Sequence, residues 1–378
     1  MITSKNNQII ERFKTSCYAE GLGKLRVDKY FYTLKQLSLM LNKDFDKVAK
    51  KDIINLVSII ERREWSDWTK HDYKVTIKKF YKWLRGKEEY PEEVKWIKTT
   101  VKKRNGKLPE GLLTEEEIKK LIDSASNSRD KALISVLYES GCRAGEILSL
   151  KLKSVEFDKY GCVILVDGKT GMRRIRLVNS TPYLKNWVND HPHKEDPNFA
   201  LWIVLGNNTE KGIIYTTLRH ILERIGERAN IKKSINPHHF RHSRATFLAN
   251  HLTESQLNEY LGWVQGSGMP SIYVHMSGRD VDKAIKKMYG LVEEEEKKES
   301  ILTPKNCPRC NEINPATSKF CNKCSLALDF KIAIELEDKR KKSDSIINQF
   351  VKKITEKYPD ESVKILEELN LVDTLREI

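Results

Sequence analysis

Cutting a phosphodiester without a metal or a nucleotide takes a nucleophile, cations for the non-bridging oxygens and an acid for the departing sugar oxygen. Three short segments and one hairpin of this chain hold residues of those types. Tyr138-Glu-Ser-Gly-Cys-Arg-Ala-Gly-Glu-Ile147 sets Arg143 just past Gly141 and three residues before Glu146. Pro237-His-His-Phe-Arg-His-Ser243 puts His238 and Arg241 at i, i+3, the spacing for two side chains of one helical face to reach one phosphate. Leu261-Gly-Trp263 through Ile272-Tyr-Val-His275 brings an indole donor, Trp263, and a tyrosine, Tyr273. Lys169 lies near the tip of a hairpin between the first two segments. Taken singly, each has an ordinary reading: Arg143 as a surface residue paired with Glu146, Lys169 as a turn lysine, Tyr273 as an amphipathic tyrosine.

A second chemistry is written in the cysteines. Cys307-Pro-Arg-Cys310 and Cys321-Asn-Lys-Cys324 form two knuckles whose four thiolates can close a tetrahedral site, while Cys17, Cys142 and Cys162 stand alone. In a reducing compartment this spacing means metal rather than disulfides. One zinc ion is the first reading, iron in a four-thiolate cage the second and free thiols the third. Four protein ligands leave no open position, so the ion is structural.

The elements that must position these residues follow from periodicity. Apolar residues recur at helical spacing through Val27, Tyr30, Leu34, Leu37 and Leu41, through Ile53, Val57 and Ile60, and through Tyr73, Ile77, Phe80 and Leu84, which predicts an all-α first domain over 1–97. Residues 98–111 lack an apolar period and are rich in Lys, Arg, Gly and Pro, as a basic linker would be. Residues 112–290 read as a second domain, mainly helical with one small antiparallel sheet. Thr114 and Glu117 form a capping box, Gly141 and Gly262 suit helix C-caps, and Pro237 suits a first helical turn. Cys162–Asp167 and Arg173–Val178 are the two arms of the hairpin. A charged linker over 291–306, the cysteine module over 307–328 and amphipathic helices over 329–378, with Ile346, Ile347, Phe350, Val351 and Ile354 and then Val363, Leu366 and Leu369 apolar, complete the chain.

The formal net charge is +15 over 378 residues, with 68 basic against 53 acidic side chains. It is unevenly spread: 1–111 carry 26 basic and 15 acidic residues, 112–290 carry 26 and 20, and 291–378 carry 16 and 18. A basic excess in the first two regions fits a polyanionic partner, because each Lys or Arg near a phosphate releases counterions; a solvated lysine-rich surface would show the same excess. No stretch approaches the ~18 apolar residues of a membrane span, and the N-terminus lacks the apolar core of a signal peptide, so a cytoplasmic protein is expected.

Together the Gly-x-Arg-x-x-Glu-like, His-x-x-Arg-His-Ser and Tyr-x-His patterns, in that order and with a hairpin lysine between the first two, resemble the tyrosine recombinase, or phage integrase, family of DNA strand-transfer enzymes, over roughly residues 20–290. The resemblance implies a helical core-binding domain and a catalytic domain clamping duplex DNA, two protomers per site and four per synapse. It makes Tyr273 the nucleophile of a 3′-phosphotyrosyl intermediate and Arg143 and Arg241 the phosphate clamp. Lys169 becomes the acid for the leaving 5′ oxygen, His238 a carrier of the tyrosine proton, and Trp263 a donor to the phosphate at a place where the family more often has histidine. Glu146 orients Arg143 or His238 from behind. No ATP or catalytic metal is implied, and tail exchange between protomers is. His239 and His242 read as structural, and Arg244 as a phosphate contact or surface residue.

The interval between Trp263 and Tyr273 is one residue longer than the family's usual spacing and holds Gly266, Gly268 and Pro270, which reads as a flexible tether able to serve its own or a neighbouring active site. A zinc ribbon behind such a core resembles an archaeal or archaeal-virus arrangement. A topoisomerase using the same tyrosine chemistry and a non-catalytic DNA-binding regulator are the alternatives; a binding module has no need of a nucleophile.

Overall fold

The computed structural model describes residues 2–100, 111–206, 209–274, 288–289 and 300–357, in two compact units, 1–106 and 107–378. The expected linker run 101–110, His275, the acidic run 293–299 and the apolar positions 363, 366 and 369 lie outside the described residues.

The first unit is helical: α1 (Ser4–Ala19), α2 (Lys24–Leu41), α3 (Lys50–Arg62), α4 (Asp67–Leu84) and the single turn α5 (Glu92–Lys95). The expected stripes supply its core through Leu34, Leu37, Ile53 and Ile60, and Phe80 packs edge-on against Phe13 and Phe45, with ring centroids 5.3 and 4.8 Å apart. Helix α1 was not expected. Its apolar positions Ile9, Ile10, Phe13 and Cys17 are sparse among polar residues, and Thr3 starts it by accepting from the Asn6 amide. Asn6 itself is buried and fully used: its side-chain amide donates to Ser38 Oγ and the Lys43 carbonyl, and its oxygen accepts from the Phe45 amide.

In the second unit, α6 (Glu115–Ser124), α7 (Ser128–Ser140) and α8 (Ala144–Leu148) precede a three-stranded antiparallel sheet, β1 (Val155–Asp158), β2 (Gly161–Gly168) and β3 (Gly171–Leu177), in that order across the sheet. Then come α9 (Thr181–Asp190), α10 (Tyr215–Arg228), α11 (Pro237–Ala249), α12 (Glu254–Leu261) and α13 (Met269–Val274). The cysteine module holds the two-residue strands β4 (Lys305–Asn306) and β5 (Ile313–Asn314), and α14 (Phe330–Lys357) follows. The architecture is mainly α with small antiparallel sheets, as the sequence indicated.

Helix α7 is buried almost all round, which makes it the post on which the unit is built. It stops where expected, at Gly141, whose φ of +58° is a left-handed cap that a side chain would strain. Helix α12 ends in the same way at Gly262, φ +63°. Strands β2 and β3 pair Val166 with Arg173 and Gly168 with Gly171, leaving Lys169 and Thr170 as a two-residue turn. Among the described residues no helix is long and apolar enough to cross a membrane.

Candidate active site

Arg143 is the N-cap of α8, and its environment is set by Glu146 three residues on. The Arg143 amide donates to Glu146 Oε2 and its guanidinium to Glu146 Oε1, both at 2.9 Å, while Nη2 reaches the Gly262 carbonyl at 3.0 Å. Arg241, on the first turns of α11, is buried; Nη1 donates to the Gly141 carbonyl at 2.8 Å and Nη2 to the Leu261 carbonyl at 2.7 Å. The two left-handed caps therefore do more than end helices. They present the carbonyls of Gly141, Leu261 and Gly262 to the arginines, which take them up.

A third arginine, Arg173 of β3, completes the arrangement and was missed by sequence reasoning. It grips Glu146 with both ends of its fork, Nη1 to Oε1 at 3.1 Å and Nη2 to Oε2 at 2.8 Å, and its Nε donates to the Tyr260 carbonyl. A signal was available. Strand alternation puts Arg173 on the same face as the buried Ile175 and Leu177, where an arginine needs a carboxylate. Arg173 is 8% exposed and Arg143 34%, so Arg173 holds the frame while Arg143 faces outward.

Two guanidiniums, Arg143 and Arg173, thus share one carboxylate, and a third, Arg241, stands near it bonded to backbone carbonyls. Burial would raise the Glu146 carboxyl, but bonds from Arg173 and from the amide and side chain of Arg143 hold it below its usual range. Burial and the neighbouring charge of Arg143 push Arg241 down to about 10, which still leaves it charged at neutral pH. The cluster keeps excess positive charge, and each of Arg143 and Arg241 retains donors beyond those already used.

Tyr273 of α13 lies against this cluster in the same chain. Its ring stacks on Trp263, centroids 5.3 Å apart and planes 15° from parallel, and Arg241 stands 5.4 Å from the centre of the Trp263 ring. Trp263 thus serves as a wall for the tyrosine and a cation–π partner for the arginine. The phenol oxygen is 2.6 Å from Nδ1 of His242, a residue read from sequence as structural. Burial raises the Tyr273 hydroxyl above its ordinary range, against the opposing effect of Arg241. The loop before α13 is tied back: the Trp263 amide donates to the Asn258 carbonyl, and buried Asn258 bonds Gln265 and Ser267.

His238 is exposed on the first turn of α11, its ring 6.3 Å from that of His242. Lys169 is exposed at the β2–β3 turn. The turn is seated by Gly168, where a Cβ would collide with the Glu146 carboxylate. Arg244 does not behave as a simple surface residue: its guanidinium packs 4.9 Å from the Phe247 ring centre.

The four sulfurs of Cys307, Cys310, Cys321 and Cys324 lie within 4.8 Å of one another, and this set can hold a metal ion. The module is fastened to the unit's core. Leu302 is buried among its apolar residues, Thr317 bonds the Tyr183 hydroxyl through both its amide and its side chain, and Glu312 pairs with Lys185.

Residues 112–279 match the phage integrase family, and this segment is a domain of that family. Among curated relatives, the tyrosine recombinase XerA of Pyrococcus horikoshii is 25% identical over 291 residues, covering 75% of this chain and 94% of the relative. XerC of Anoxybacillus flavithermus is 24% identical over 280 residues, covering 70% and 87%. The same fold is found in the XerH recombinase bound to difH in a post-cleavage complex (TM-score 0.57, 21% identity, 76% of this chain and 86% of that one). It is found again in a lambda integrase dimer on a core site (0.58, 14%, 72% and 78%).

Proposed function

We propose that this chain is a site-specific DNA recombinase that cuts and rejoins duplex DNA through a 3′-phosphotyrosyl intermediate. The observation that carries the reading is the surplus of guanidinium over carboxylate beside Tyr273 among the described residues, which a bound phosphate would balance. A scissile phosphate placed there meets Arg143 and Arg241 through donors left free, and those cations stabilise the charge that builds on its non-bridging oxygens. The Tyr273 oxygen attacks phosphorus; Lys169, on a short turn seated beside Glu146, protonates the departing 5′ oxygen; His238 borders the phosphate from the exposed end of α11. Trp263 and Tyr273 belong to the chain that supplies the arginines, which favours attack in cis.

The basic excess of 1–111 and 112–290 supplies the sequence-independent grip on the phosphate backbone. Zinc fits the four-thiolate set and would staple the module without touching the strand chemistry. Self-association on DNA follows from the strand exchange itself, since a second cut end must provide the attacking 5′-hydroxyl, and α14 with its exposed Ile346, Ile347 and Phe350 is the proposed surface for it.

The test is a pool of nicked duplexes with randomised sequence around the nick, incubated with the full chain and screened for denaturation-resistant adducts. Wild type should give adducts enriched in one sequence, and Tyr273→Phe none. No wild-type adduct overturns the reading; adducts without sequence enrichment replace it with a topoisomerase.

A further inference from the structure

We propose that His242, rather than His238, is the catalytic residue that takes the phenolic proton of Tyr273 during cleavage and returns it on rejoining. The inference rests on the recombinase reading and names the proton acceptor that reading lacks.

A general base takes a proton directly from an oxygen about 2.6–3.2 Å away, or through one water. His242 Nδ1 is 2.6 Å from the Tyr273 oxygen, whereas the His238 ring lies exposed a helical turn away, 6.3 Å from the His242 ring. Among the described residues His242 is the hydrogen-bond partner of that phenol. The pair is fixed in orientation: the His242 and Tyr273 rings stack at 5.8 Å and 28°, and Trp263 stacks on the same tyrosine. Helix geometry supplies the division of labour. Positions 238, 241 and 242 fall on one face of α11, with His238 at the exposed N-terminal turn and His242 one turn deeper against α13.

The protonation states agree with the geometry. Burial, with His238, His239 and Arg241 adding to it, lowers the affinity of His242 for a second proton, and burial keeps the phenol protonated. At neutral pH the contact is then a neutral imidazole accepting from a neutral phenol. In the forward step the Tyr273 O–H bond breaks and an Nδ1–H bond forms; the phenolate oxygen bonds to phosphorus as the phosphorus–O5′ bond breaks, and O5′ takes its proton from Lys169. In the reverse step a 5′-hydroxyl gives its proton to the neutral Lys169 amine as its oxygen attacks phosphorus, the phosphotyrosyl bond breaks, and the imidazolium gives the Nδ1 proton back to the phenolate of Tyr273.

This division makes two proton transfers separable. A duplex with a bridging sulfur in place of the scissile O5′ releases a thiolate that needs no acid, so it relieves the loss of the leaving-group proton donor and leaves the loss of the tyrosine's base untouched. With the nicked sequence recovered from the randomised pool, His242→Phe, which keeps the stack, should form adduct about 100-fold or more slowly than wild type on the oxygen substrate. It should stay slow on the sulfur substrate, on which Lys169→Ala regains most of its rate. His242→Gln, which can bond the phenol but cannot take its proton, should match His242→Phe, and it carries the test if the phenylalanine no longer retains DNA. Added imidazole should restore part of the rate of His242→Ala. A wild-type rate in either His242→Phe or His242→Gln, or rescue of both by sulfur, overturns the proposal. Absence of any wild-type adduct removes the recombinase reading and this inference with it.

Discussion

Glu146 is the residue on which most of the site depends, and it is only 4% exposed. Replacing it by Gln leaves Arg173 buried without a counter-charge, which for a buried pair costs about 3–5 kcal/mol; urea unfolding of Glu146→Gln should show a loss of that order. The wild type should also carry a signature in acid. A carboxylate held below its unfolded value stabilises the fold above that unfolded value and loses the contribution as pH falls through the folded one. Stability of the wild type should therefore decline below about pH 4.5, the ordinary glutamate value, more steeply than that of Glu146→Gln measured in the same pH series. Gly262 is the other sensitive point. An alanine there adds a Cβ 2.7 Å from Arg173 Nη1 at φ +63°, so Gly262→Ala should lower thermal stability and slow adduct formation together, because the same arginine braces Glu146. The lone cysteines are predicted to be inert. Cys142 and Cys162 are fully buried with thiols pushed up to about 11, so iodoacetamide at neutral pH should leave both, and the buried Cys17, unlabelled in the native protein.

At the scale of elements, the cysteine module should behave as part of the catalytic unit. If the four cysteines hold the proposed zinc, a chelator should release one equivalent per chain and expose four thiols to labelling, with a fall in thermal stability of the whole unit through Leu302 and Tyr183. Release of iron in its place would correct the metal and leave the ligand set standing. The same scale shows what the sequence could and could not reveal. Helices with caps and apolar residues at helical spacing, α6 with its Thr114–Glu117 box, α7 with Gly141 and α12 with Gly262, were legible because the local signals agree with the packing. So were the hairpin and the spacing of His238 and Arg241. Strand β1 was not, since Val155–Asp158 is largely exposed and owes its conformation to pairing with β2. The part of the site that was hidden consists of contacts between distant segments. Neither the Arg173–Glu146 fork, 27 residues apart, nor the His242–Tyr273 bond, 31 apart, has a local signature that tells a partner from a neighbour.

For the molecule as a whole, the basic excess lies in the first 290 residues, where the DNA grip is proposed, and 291–378 are slightly acidic, 16 basic against 18. Salt should then weaken DNA retention by the full chain and by a chain truncated at residue 329 with the same steepness, because the truncation removes no phosphate contact. If α14 mediates assembly, that truncated chain should bind DNA as the full chain does yet form fewer multimers on it in native gels; equal multimers would assign assembly elsewhere. The anchoring of Leu302 in the core, reinforced by the Ser300 bond to Glu115, has another outcome. Ser300 and Leu302 tie the chain to the body of the same unit before the knuckles begin, so the knuckles should stay in place without a covalent link across 290–299. A chain with an engineered protease site between 289 and 300, once cut, should run as two pieces under denaturing conditions and as one particle under native ones, still able to form the covalent adduct.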